Sequence, residues 1–119
     1  MNREIKFRAW DPARKSMENC ISISPFGVDD CDRRRWEWNE IEVMQYTGVK
    51  DCNGRVIYEG DIARHAVGWV GKVQYFEGSF EIEAKHQSWP INYVRGRKIE
   101  VIGNIYENPE LLGGEVAEA

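Results

Sequence analysis

Asp51, Asn53, Glu59 and Asp61 place four oxygen-bearing side chains within one short stretch, QYTGVKDCNGRVIYEGDIA. Clustered acidic and amide oxygens are what a hard cation such as calcium binds. A helix-loop-helix calcium loop needs such oxygens at alternating positions, a glycine at the sixth and a glutamate at the twelfth. Here Asp51, Asn53 and Gly54 compress that order and omit the third ligand. Asn53-Gly54 explains itself as a hairpin turn of type I′, in which both residues take positive φ. Asp51 would then accept bonds from nearby backbone donors, as turn aspartates do. The expectation is a loop that turns the chain and holds no metal. The carboxylates of YEGD have the chemistry of an acid/base pair, but strand-end turns carry acids for structural reasons as well.

The zinc-ligand types are Cys20, Cys31, Cys52, His65 and His86. Zinc takes four ligands, usually delivered as two close pairs, and no two of these lie within four residues of each other. A cysteine or serine nucleophile needs a histidine base and an orienting group. No nucleophile elbow or phosphate loop marks one here. The reading is no enzyme, no cofactor and no metal.

The richest feature is basic and aromatic. Arg33, Arg34 and Arg35 precede Trp36 and Trp38; later come Trp89, Tyr93, Arg95, Arg97 and Lys98. Cations neutralise phosphates and exposed rings stack on unpaired bases, and small β-barrels bind single strands in this way. Against that, Asp29, Asp30 and Asp32 stand directly before the arginines and neutralise them locally. Arginine beside tryptophan also marks protein interfaces, and core packing is the plainer role for a tryptophan. The first expectation is a protein contact through Arg33, Arg34, Arg35, Trp36, Trp38, Trp89, Arg95 and Arg97. Nucleic acid, single-stranded by preference, is the alternative.

The elements that must position these residues read as strands. With 119 residues the chain suits one domain. Its 42% hydrophobic and 30% charged content is that of a soluble globular protein. The net charge is −4, with ten Lys/Arg against eleven Asp/Glu in the first sixty residues, so no basic body attracts nucleic acid or lipid generically. Three cysteines without paired spacing argue against a secreted disulfide framework. No apolar run has the length of a membrane helix, and MNREIKFRAW lacks a signal-peptide core. A cytoplasmic protein with reduced thiols is expected.

EIKFRAWD alternates, with Ile5, Phe7 and Ala9 on one face, as in a half-buried strand. After the Asp11-Pro12 turn, MENCISIS resumes, so residues 4–24 read as a hairpin. DDCDRRRWEWN reads as a loop and EIEVMQYT as a strand. Glu59-Gly60-Asp61, Gly68 with Gly71, and Glu77-Gly78-Ser79 mark turns or bulges. SFEIEAK turns Phe80, Ile82 and Ala84 inward, and IEVIGNIYE is the last strand. Asn108, Pro109 and Gly113 frame one short helical turn. Residues 113–119 read as a flexible acidic tail.

Four segments in order resemble the YopX family of small phage and prophage proteins: IKFRAWD (5–11), VMQYTGVKDCNGRVIYEGDI (43–62), GKVQYFEGSFEI (71–82) and IEVIGNIYENPELL (99–112). The resemblance implies a mainly β fold, a single-domain SH3-like pseudo-barrel over residues 1–112 capped by a short helix. It implies a phage or prophage gene product acting in a bacterial cytoplasm, and no reaction, cofactor or catalytic residue. The functional expectation is a non-enzymatic interaction module that binds a host or phage protein, with self-association as a second outlet and no membrane.

Overall fold

The computed structural model describes residues 5–85, 87–91 and 98–112. The fold is mainly β. The chain divides into two compact units, the first ending at Tyr46 and the second beginning at Thr47. Each has its own apolar core.

In the first unit β1 (Phe7–Asp11) lies between β2 (Ser16–Glu18) and the first half of β6 (Glu42–Lys50), antiparallel to both. Arg8, Ala9, Trp10 and Asp11 are all buried, so the expected alternation of inward and outward faces does not hold. The turn after β1 forms as Asp11-Pro12 predicts: Asp11 Oδ1 accepts the amides of Ala13 (3.0 Å) and Arg14 (3.2 Å).

The segment MENCISIS is not one strand. It splits into β2 and β3 (Ile21–Ser24), and β3 pairs locally with β4 (Gly27–Asp30). The charged stretch expected to be a loop supplies β4 and β5 (Arg35–Trp36), which complete a sheet in the order β3-β4-β5. Charge masked the strands because apolar residues recur only at their ends: Val28 and Trp36 point into the first core, beside Ala9 and Ile41. Asp30 builds the turn between them. Its Oδ1 accepts the amides of Asp32 (2.9 Å) and Arg34 (2.8 Å), with Arg33 in the left-handed region at φ 67°.

The second unit is built on a five-stranded antiparallel sheet. Its order is β11 (Ser88–Pro90), β10 (Ser79–Glu83), β9 (Val70–Phe76), β8 (Asp61–His65) and β12 (Ile99–Asn104). The short β7 (Val56–Tyr58) precedes it. Ile57, Ala63, Val73, Ile82, Ile91, Ile99 and Val101 form its core, with Phe80 packed against them as its alternation predicts. Glu77-Gly78 is a two-residue hairpin with positive φ at both positions, 48° and 90°, the geometry that matches the twist of the flanking strands.

Asn53-Gly54 turns the chain in a different way from the type I′ expectation. Among the non-glycine residues of positive φ, Asn53 is absent, while Gly54 is left-handed at φ 80°. The Gly54 amide bonds the Asp51 carbonyl (3.0 Å), so Cys52 and Asn53 are the central pair. The Asp51 side chain imposes this. Its Oδ1 accepts the amides of Asn53 (2.9 Å) and Arg55 (2.8 Å), and its Oδ2 accepts that of Val101 (2.9 Å) in β12. Residues 110–112 are helical. Asn108 does not cap them with its side chain, which accepts the amide of Asn104 (3.1 Å) at the end of β12. The acidic tail expected at 113–119 lies outside the described residues.

Candidate functional site

The arginine-tryptophan stretch of the first unit separates into a framework and a surface. Trp36 belongs to the framework. At 6% exposure it is a core residue, so the contact patch read from the sequence loses it. Its indole N–H donates to Asp11 Oδ2 (2.9 Å) and ties β5 to β1. Burial pushes the Asp11 carboxyl up. The indole bond, the amides of Arg14 and Ala13 and the Arg14 charge outweigh it and hold the group below its ordinary 3.8. Gly27 makes room for this arrangement: at φ 145°, a Cβ there would run into the Trp36 carbonyl oxygen.

Trp38 and its surroundings form the surface. Trp38 opens a single 3-10 turn (Trp38–Glu40), closed by the Glu37 amide donating to Glu40 Oε1 (2.8 Å). Its indole N–H donates to the Ser24 carbonyl (3.2 Å) at the β3–β4 turn. The Phe26 amide in turn bonds Ser24 Oγ (3.1 Å). Around this turn Phe26 is 76% exposed, Trp38 46% and Ile23 40%. Phe26 and Ile23 carried no signal in the sequence: Ile23 read as the end of the hairpin over residues 4–24, and Phe26 lies just beyond it.

The three arginines are placed differently from one another. Arg35 makes a two-pronged contact with Asp29 (2.8 and 3.2 Å). That hydrogen bond lowers the Asp29 pKa and raises that of Arg35. Arg34 lies 3.9 Å from Asp30 and 5.8 Å from the centre of the Trp36 ring. Arg33 occupies the left-handed turn position. Arg34 and Arg35 line a shallow cleft of about 440 Å³ with Asp11, Arg14, Trp36, Asn39 and Glu40. Arg14 was not singled out in the sequence because it lies in a different hairpin. Two of the three cations thus face aspartates of their own turn, which weakens any attraction to a phosphate backbone.

In the second unit Trp89 stacks on Trp69 (centroids 4.7 Å, 14°), and Trp69 stacks on His65 (4.7 Å, 18°). Trp69 and Trp89 pack against the second core, so this aromatic column is partly structural. Of the rest of the second cluster, Tyr93, Arg95 and Arg97 lie outside the described residues, as does His86. His65 and Cys52 line one shallow hollow of about 230 Å³ with Arg64, Lys98 and Glu100. Among the described residues no hydrogen bond joins thiol to imidazole. Instead His65 Nδ1 accepts the Val67 amide (3.1 Å), and Arg64 pairs with Glu100 (3.2 Å). Among the described residues no group of three His, Cys, Asp or Glu side chains is placed to hold a metal ion, and no helix is long and apolar enough to cross a membrane.

The thiols depart from expectation. Cys20 and Cys31 form a disulfide across the mouth of the β3–β4 hairpin, with Cα atoms 5.7 Å apart, within the range a bridge requires. Strand pairing that the charged sequence concealed brings them together. Cys52 is free and exposed.

The family model described as YopX protein matches residues 6–113. The chain belongs to the YopX family. Among solved structures the chain is similar to protein EF1440 from Enterococcus faecalis, at 29% identity and a TM-score of 0.65 over 93% of this chain and 99% of that one. It is also similar in fold to protein yopX from Bacillus subtilis, at 22% identity and a TM-score of 0.63, again over 93% and 99%. No curated protein matches the chain. The family thus rests on nearly the whole chain, including the segments that the sequence resemblance left out.

Proposed function

We propose that this YopX-family protein is a non-enzymatic interaction module, phage- or prophage-encoded and acting in the bacterial cytoplasm, that binds a protein through the β3–β4 turn. The observation that carries the proposal is the exposure of Phe26 and Trp38 on a framework held by the Trp36–Asp11 bond. Large apolar side chains presented rigidly lose little freedom on binding, which is how anchor residues work. Arg14 and Arg34 beside the cleft give the rim a polar character. Arg33 adds support: a left-handed position favours glycine, yet the chain keeps a long cation there.

Catalysis finds less support. Asp11, Asp30 and Asp51 direct oxygens at backbone amides or at an indole, as aspartates that organise turns do. Phe26→Ser with Trp38→Ser should abolish capture of a specific partner, or of a second copy in sedimentation, while the fold stays intact. Tyr75→Ser, at another exposed aromatic, should have no effect. Equal capture by all three proteins would refute the proposal.

Nucleic acid is the competing reading. The aromatic column with Arg64 and Lys98 beside it favours it. Anisotropy with labelled single strands at low and moderate salt decides it. Binding that falls steeply with salt and is lost in Arg64→Ala would carry it; no binding at low salt would end it.

A further inference from the structure

Cys20 and Cys31 immediately flank the outermost rung of the β3–β4 hairpin, Ile21 opposite Asp30. Both are exposed. At the other end of the same hairpin lie Ser24, Phe26 and the Trp38 indole bond. The strand β3 stands at the edge of its sheet, with β4 as its neighbour in the order β3-β4-β5. Within its sheet β3 is therefore held by one ladder of four residue pairs, and the cysteines are placed to close that ladder like a clasp.

We propose that Cys20–Cys31 is a reversible redox-modification site that sets how firmly the β3–β4 turn is held. This deepens the binding role proposed above and rests on it for its consequence, though not for its chemistry. The oxidant is a small-molecule disulfide, with oxidised glutathione as the representative. One cysteine thiolate attacks it, forming a mixed disulfide and releasing one glutathione thiolate. The second cysteine thiolate then attacks the protein sulfur of that mixed disulfide and displaces the other glutathione. Two protein thiols are oxidised by two electrons, one glutathione disulfide is reduced to two thiols, and the two protons pass to the released thiolates. The exposure of both residues gives the oxidant, and later a reductant, access. Closing the cross-link removes opened hairpin states, so the oxidised protein presents Phe26 and Trp38 on a stiffer turn. The reduced protein keeps the same ladder without the clasp.

The test uses the full chain carrying Cys52→Ser, equilibrated in glutathione buffers from reducing to oxidising, with intact mass and peptide mapping as the first readout. The expected product is a species lighter by two hydrogens that links Cys20 to Cys31 within one chain and reverts on reduction. Glutathione adducts or intermolecular dimers alone would overturn the site. The second readout is amide hydrogen exchange over residues 21–30, expected to be on the order of tenfold slower in the oxidised form. A link that forms without slowing exchange would overturn the clasp. Cys20→Ser should exchange like the reduced protein under all buffers, and oxidant-dependent protection in that variant would likewise overturn it. If Phe26→Ser with Trp38→Ser left partner capture intact, the binding role would fall while the mass and exchange results stood.

Discussion

Replacing Asp51 with alanine tests the central structural argument. The wild-type carboxylate is 6% exposed and accepts three backbone amides, those of Asn53, Arg55 and Val101. The Val101 amide is buried and would be left without its acceptor, at a cost of about 1–3 kcal/mol. The Asn53 and Arg55 amides are part-buried and regain water, so each adds roughly 0.5 kcal/mol. The total is about 3 kcal/mol, a large part of the stability of an ordinary domain. For a 119-residue chain, unfolding entropy of about 2.1 cal/mol/K per residue turns this into a fall of roughly 12 °C in Tm. Asp51→Asn keeps one acceptor oxygen and should lose about half as much. Calorimetry at neutral pH measures both, and exchange of the Val101 amide should quicken in step. A Tm within about 2 °C of wild type for Asp51→Ala would show that the amides find other acceptors, and the assignment of Asp51 as the organiser of this loop would be wrong.

Other outcomes follow from the same reasoning. EDTA should leave the Tm unchanged, since the oxygens of Asp51 are taken by amides; a chelator-dependent fall would mean that the loop holds a cation after all. Gly27→Ala should destabilise the first unit by about 2–4 kcal/mol, because a Cβ meets the Trp36 carbonyl at a positive φ; unchanged Trp36 fluorescence on denaturant titration would contradict this. Arg33→Gly should stabilise by roughly 0.5–1 kcal/mol, as the position is left-handed, and a loss of stability would show that the arginine side chain contributes to the fold. In acid, Asp11 adds a pH-dependent component of stability. Its folded pKa lies below 3.8, so the contribution is complete above the unfolded value and is lost as pH falls through the folded one. The Trp36 indole N–H resonance should shift below about pH 4, and Asp11→Asn should lack that step.

Much of the fold was legible because periodicity and turn chemistry agreed. SFEIEAK alternates and lies with Phe80 and Ile82 inward; Glu77-Gly78 announces a tight turn and makes one. Legibility failed where a local rule met a tertiary one. KFRAW alternates like a half-buried strand, but in the fold both of its faces are buried from Arg8 to Asp11. DDCDRRRW looks like a solvated loop because the charges that satisfy one another across its turn resemble charges that face water. The same blindness affected the site. Trp36 and Trp38 are one residue type two positions apart, and only pairing with β4 separates the buried ring from the exposed one. The approach of Cys20 to Cys31 depends on that same pairing.

The saturated aspartates bear on how such a chain drifts over generations. An acid that performs a reaction tolerates almost no replacement, since even an amide of the same shape abolishes the proton transfer. An acid that holds a turn answers to a looser criterion: any side chain whose oxygen reaches the same amides is acceptable at some loss of stability. Asp11, Asp30 and Asp51 each direct an oxygen at amides two to four residues ahead, a reach that asparagine shares and serine approximates. Homologues should therefore exchange Asp, Asn and Ser at these positions. Strict invariance at any one of them would identify an acid retained for something other than the turn.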